Sequence, residues 1–122
     1  MNKITIENGS TKVSLDINAI DNPATKEINR SLPIESKVSI WGDEIYFDIG
    51  IHAPEEGATL DVDVGDIAYW AQGQCLCIFF GRTPASDTDK PVPASGVVIV
   101  GKANVDPDIL RKVKCGSKVK VE

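Results

Sequence analysis

KVSIWGDEIYFDI, residues Lys37 to Ile49, is the stretch on which the fold turns. Its apolar residues recur at period two, the spacing of a strand with one buried face. Gly42-Asp43 interrupts the alternation. A two-residue loop with glycine first suits a type II′ hairpin, whose first central position needs positive φ. That turn sets a register: Trp41 opposite Glu44, Ile40 opposite Ile45, Ser39 opposite Tyr46, Val38 opposite Phe47 and Lys37 opposite Asp48. Val38, Ile40, Ile45, Phe47 and Ile49 then share an inward face. Trp41, Glu44, Ser39 and Tyr46 share the other. A slip of one residue would mix the two faces, so the pairing is strongly specified.

The same period runs outward from this hairpin. Lys3–Glu7 and Lys12–Ile17 flank Asn8-Gly9 and read as a hairpin. Leu60, Val62 and Val64 alternate with Asp61 and Asp63 and predict a further half-buried strand. Ile67–Trp70, Cys75–Phe80, Val97–Val100 and Lys118–Glu122 complete a set of about nine short strands. Two helices are expected. Asn22-Pro23 opens the first with an Asx cap and proline at the first position, and Ala24, Ile28 and Leu32 form its apolar stripe before Pro33. Asp106-Pro107 opens the second, with Ile109, Leu110 and Val113 on its apolar side and Gly116 at its end. Arg82–Ser95 holds Pro84, Pro91 and Pro93 and reads as a long loop, the kind that carries function. Many short alternating strands in one chain favour a closed antiparallel barrel, because closure removes exposed edges.

The chain has 122 residues, enough for one domain (residues 1–122) that folds without cross-links. Hydrophobic residues make up 42% and charged residues 25%, a globular balance that excludes disordered and fibrous classes. No apolar run reaches membrane-spanning length, so no membrane partner is expected. The formal charge of −5 disfavours contact with a phosphate backbone, and nucleic acid is not expected as a partner. MNKITIENGS alternates and then turns without an apolar leader core, which points to the cytoplasm. Three cysteines cannot form a full disulfide framework. Cys75 and Cys77 share a strand face and, like Cys115, read as reduced, structural thiols. With His52 as the one histidine, neither a metal site nor a cofactor is expected. Gly65, Gly73, Gly81 and Gly101 form no phosphate-cradling motif.

Several short motifs occur in a telling order: Gly65-Asp66-Ile67-Ala68-Tyr69-Trp70, Cys77-Ile78-Phe79-Phe80, Thr83-Pro84, Val97-Val98-Ile99-Val100-Gly101-Lys102, then a helix from Pro107. Over residues 65 to 113 this resembles the cyclophilins, which run G-x-L-S-M-A-N, S-Q-F-F-I, P-T-P, H-V-V-F-G-K-V and a helix at similar spacing. LPIESKVSIWGDEIYFDI (Leu32–Ile49) and EGATLDVDVGDIAYW (Glu56–Trp70) bring nearly the whole chain closer still to the small prokaryotic cyclophilin-like family of unknown function. The resemblance implies a mainly β fold, a closed antiparallel cyclophilin-like barrel of about eight strands with two capping helices. It does not carry over prolyl isomerase chemistry. No arginine lies between Arg30 and Arg82, so the catalytic guanidinium of cyclophilins is unmatched, and with it the main electrostatic stabilisation of the twisting amide. Ile78 stands at the pocket glutamine, Val97 at the pocket histidine and Trp70 at a groove-lining alanine. Phe80 keeps the pocket phenylalanine.

Two clusters are candidates for ligand binding. Trp41, Glu44 and Tyr46 put an indole, a carboxylate and a phenol on the non-core side of the central hairpin. Tyr69, Trp70, Gln74, Phe80 and Arg82 fall where cyclophilins bind peptide, and aromatic residues with an arginine are typical of recognition surfaces. Arg82 either holds a ligand carboxylate or pairs with a loop acid such as Asp87. The expected function is a non-enzymatic binding module for a small molecule or short peptide in a groove near Trp70, Phe80 and Arg82. No catalytic residue is assigned. The alternatives are an enzyme using Glu44, Tyr46 or His52, residual isomerase activity, or a homodimer formed through the Trp41–Tyr46 face instead of a monomer.

Overall fold

The computed structural model describes residues 1–122. Strands β1 (Lys3–Asn8) and β2 (Thr11–Ala19) pair across the Gly9 turn. Helix α1 (Pro23–Asn29) follows, capped by the Asn22 side chain accepting from the Thr25 N–H at 2.9 Å. Then come β3 (Ile34–Lys37), β4 (Ser39–Ile40), β5 (Glu44–Asp48), β6 (Asp66–Trp70), β7 (Cys75–Phe79), β8 (Val98–Ala103), the single-turn helix α2 (Pro107–Leu110) and β9 (Lys118–Val121). All pairings are antiparallel, in the order β3-β9-β1-β2-β8-β6-β7-β5-β4.

The two ends of that order, β3 and β4, are separated in sequence by Val38 alone. The Val38 N–H donates to the Ser117 carbonyl at 2.9 Å, and its carbonyl accepts from the Gly116 N–H at 2.8 Å. One extended segment thus pairs with β9 through its first half and with β5 through its second. The sheet curls into a nearly closed barrel and leaves no long free edge.

The central hairpin has the expected register at its tip. Ser39 faces Tyr46 and Ile40 faces Ile45, and Trp41 and Glu44 exchange backbone hydrogen bonds. Gly42 has φ +60° while Asp43 has ordinary negative φ, the type II′ pattern. The Val38–Phe47 and Lys37–Asp48 pairs do not form. At Val38 the chain leaves β5 for β9, so Lys37 lies opposite Lys118 and the Asp48 carboxylate instead accepts from the Gly50 N–H. Ile40, on the separating corner, is 38% exposed and not a core residue.

The barrel interior collects the inward residues of every strand but β4, including Ile4, Ile6, Leu15, Ile45, Phe47, Ile67, Leu76, Ile78, Val100, Val119 and Val121. Ala24 and Ile28 of α1 and Leu110 of α2 join them. Tyr69 is fully buried here. Its hydroxyl donates to the Ile51 carbonyl at 2.6 Å and accepts from the Ala53 N–H at 3.1 Å, which satisfies a phenol that burial would otherwise penalise.

Two expected elements differ. Leu60–Val64 is not a strand: only Thr59 bridges, to Val97, and Val62 alone is buried while Leu60 and Val64 are exposed. The Asp66 carboxylate takes the Asp63 N–H, and the Asp63 carbonyl takes the Asp66 N–H, so a turn closes before the run can pair. Helix α2 stops at Leu110 and does not reach Val113. Gly116 and Ser117 are committed to Val38, which draws the chain out of the helix toward β9. Ile109 is left exposed.

Candidate functional site

β7 reads CLCIF and is buried along its whole length. A strand apolar at every position has both faces covered. Inside lies the barrel core; outside, a second cluster forms from Val62, Ala68, Cys77, Phe79 and Val97, with Tyr46, Trp70 and Ile99 packed against it. The covering chain comes from two segments, residues 58–65 and 81–97, which bring Val62 and Val97 onto this outer face and bridge to each other at Thr59 and Val97.

The second covering segment is tied at several points. Its start is locked to the hairpin turn: the Asp43 N–H donates to the Arg82 carbonyl at 2.7 Å, and the Phe80 N–H donates to the Asp43 carbonyl at 2.9 Å. A Cβ on Gly42 would come within 2.9 Å of the Arg82 carbonyl oxygen, so the approach needs glycine there. Within the loop, the Thr83 N–H donates to the Ser86 hydroxyl at 3.0 Å and the Thr83 hydroxyl donates to the Val92 carbonyl. Lys90 pairs with Asp61 and Asp63 of the first segment. At its far end the Trp70 indole N–H donates to the Ser95 hydroxyl at 2.7 Å, and Ser95 donates to the Gln72 side-chain carbonyl.

Between these ties the cover leaves a cleft of about 140 Å³ beside the hairpin. Trp41, Tyr46 and Trp70 supply three aromatic side chains; Cys77, Pro93, Ala94 and Val97 complete the apolar wall; Glu44 is the one charged residue. Its outward position follows from strand alternation, since Ile45 and Phe47 point into the barrel.

Glu44 is 7% exposed. None of the molecule's ion pairs involves it. The neighbour of its carboxyl is the Cys77 thiol, a weak donor. Burial pushes the Glu44 carboxyl up to about 7, with the Cys77 hydrogen bond pulling weakly the other way. Burial, reinforced by the Glu44 charge, holds the Cys77 thiol well above its ordinary value. Burial also lifts Cys75 to about 11, with Asp48 and Glu44 adding to the effect. Burial thus favours the protonated form of both thiols. No group of three or more His, Cys, Asp or Glu side chains stands where it could share a metal ion.

The structure brings four of the eight sequence-predicted site residues together: Trp41, Glu44, Tyr46 and Trp70. The others lie elsewhere. Tyr69 and Phe80 are barrel-core residues, because strand alternation turns them inward. Gln74 sits in the β6–β7 turn at φ +51°, where its carbonyl accepts from the Ile49 N–H. Arg82 points along its own loop, 3.5 Å from the Ser86 carbonyl and 4.0 Å from Asp89, not Asp87. His52 is exposed and outside the cleft. Cys77, Pro93, Ala94 and Val97 were not among the expected site residues; the unbroken apolar run of β7 was the signal that something must cover it.

No helix is long and apolar enough to cross a membrane. No curated protein matches the chain. Among solved structures, a hypothetical protein from Archaeoglobus fulgidus, determined in solution, is similar: 35% of residues are identical, the match covers 99% of this chain and 93% of that one, and the TM-score is 0.75. The Cyclophilin-like family pattern matches residues 2–122, nearly the whole chain, and the chain belongs to the Cyclophilin-like family.

Proposed function

We propose that the protein is a binding module that takes a small molecule into the outer cleft between Trp41, Tyr46 and Trp70, with Glu44 at its polar end. One observation carries this reading: a side chain that is costly to bury is buried without an ion-pair partner in an aromatic-walled cleft. Protein interiors tolerate such a group mainly where it serves a site. The size sets the class of ligand. An apolar cavity of roughly 150 Å³ accepts a benzene-sized guest, so this cleft takes a small molecule or one protruding head group, not an extended peptide. The electrostatics speak against isomerase chemistry, since no arginine lines the cleft and its one charge is negative.

Both tryptophans line the cleft, so their emission reports its occupancy. Screening a metabolite collection by tryptophan fluorescence is expected to find molecules that shift the emission saturably. The shift should shrink in Trp41→Phe and Trp70→Phe variants. A collection of small apolar, cationic and neutral polar molecules that leaves the emission of the folded protein unmoved would overturn the proposal.

A further inference from the structure

We propose that the cleft selects an organic monocation, a protonated amine or quaternary ammonium whose head sits among Trp41, Tyr46 and Trp70 with its charge toward Glu44. This deepens the preceding reading and rests on it. Three aromatic residues line one small cleft, and a cation seated against a ring face gains electrostatic attraction from the ring quadrupole. Glu44, once ionised, adds an opposite charge at a position only 7% exposed, where water screens it less than on the open surface. No lysine or arginine lines the cleft to bind an anion. A wholly apolar guest would seal an ionised carboxylate away from water with nothing to pair it, which is unfavourable. A bare divalent metal would find one carboxylate and a protonated thiol, far short of the six to eight oxygen ligands that calcium takes or the octahedral set that magnesium demands. An alkylated ammonium suits the chemistry of every wall: carbon on its surface meets rings and aliphatic groups, and its charge meets the carboxylate.

The pairing has a pH signature. The carboxyl titrates at about 7 in the free protein, so a permanently charged ligand should bind better above that pH than below. Other titratable groups facing Glu44 are Cys77 and Cys75 of β7, both held neutral by burial, and the Tyr46 phenol of β5. The loop residues Pro93, Ala94 and Val97 bring no charge.

The test uses choline and its neutral carbon isostere 3,3-dimethyl-1-butanol, with sodium chloride matched throughout. Binding is read by tryptophan emission and calorimetry at pH 8 and pH 5.5. The expected result is saturable choline binding, roughly tenfold or more tighter at pH 8 than at pH 5.5 because the ionised fraction of Glu44 changes by at least that much. At pH 8 the isostere should bind more weakly than choline, and its pH dependence should have the opposite sign, with no gain from pH 5.5 to pH 8, because it leaves the ionised carboxylate unpaired. Glu44→Gln should remove both the preference for choline and its pH dependence while leaving isostere binding in place. Tyr46→Leu should weaken choline alone. Equal or better binding of the isostere at pH 8, or choline binding at pH 8 unchanged in Glu44→Gln, would overturn the cation inference yet leave the binding module standing. So would failure of both probes while other molecules shift the emission. Silence toward every molecule would overturn both.

Discussion

The two halves of the barrel wall meet their surroundings differently. Outside β3, β9, β1 and β2 lies a broad groove of about 620 Å³, lined by Lys3, Lys12, Lys37, Lys118, Lys120 and acidic neighbours. Its charges stand in water and pair loosely, Lys12 with Glu7 at 3.8 Å and Lys120 with Glu122 at 3.8 Å. Outside β5, β7, β6 and β8 the cleft is less than a quarter of that volume, yet it holds a buried carboxyl without an ion-pair partner. A volume alone therefore does not mark a site. A large groove of solvated, self-paired lysines and glutamates asks nothing of a ligand, because each charge already has water. A small cleft that isolates one carboxyl leaves an electrostatic demand that a bound molecule can meet.

That contrast can be broken by substitution, and the strongest test compares outward-facing residues on the two halves. Phe79→Ala empties the outer cluster and is expected to cost about 3–5 kcal/mol, whereas Lys118→Ala, also outward, should change stability by less than about 0.5 kcal/mol. Urea denaturation of the two variants measures the gap, and similar losses would mean that the covered half is not a second core.

Glu44→Gln sharpens the electrostatic side. The carboxyl is raised from 4.5 to about 7 on folding, so the native state binds the extra proton between those values. The wild-type protein should therefore lose stability as pH rises from about 4.5 through 7. Glu44→Gln should be indistinguishable from wild type at pH 4 and more stable at pH 8, by at most roughly 3 kcal/mol. Melting curves across that range check the sign; a variant less stable than wild type at pH 8 would show that a favourable partner had been missed.

Smaller effects probe how the cover is held. Gly42→Ala places a Cβ in the left-handed region and against the Arg82 carbonyl, with an expected loss of about 1–3 kcal/mol and a loosened Arg82–Gly96 loop, seen as faster amide exchange there. Ser95→Ala removes the partner of the Trp70 indole N–H and should cost about 0.5–1.5 kcal/mol. Its signature is a red shift of Trp70 emission in a Trp41→Phe background. An unchanged spectrum would mean that the hydrogen bond does not hold the ring.

Legibility in the sequence follows range. The Ser39–Tyr46 and Ile40–Ile45 pairs were readable because a II′ turn and a period of two act within a few residues. Trp41, Glu44 and Tyr46 could be placed together on the outward face for the same reason. Trp70 entered through family resemblance, and alternation places it outward while Tyr69 and Phe80 turn in. The departure of Lys37 from Asp48 was not readable, because the competing partner, β9, lies some eighty residues away. Nor was the fate of Leu60–Val64, where the Asp63–Asp66 turn overrode a pattern suited to a strand.

Local chemistry in the chain determined the strands, the turn at Gly42-Asp43, the helix starts at Asn22-Pro23 and Asp106-Pro107, and the face on which each hairpin residue lies. These depend on φ preferences and side-chain alternation, which neighbouring residues suffice to set. Only the tertiary structure decided that Val38 joins the two ends of the sheet, that a proline-rich loop lies over the outer face of β7, and that Glu44 is left only 7% exposed at the edge of a cleft. Those outcomes depend on contacts such as Asp43 to Arg82, Lys90 to Asp61 and Trp70 to Ser95. Such contacts gain their energy only once distant segments have been brought together, and no local pattern records them.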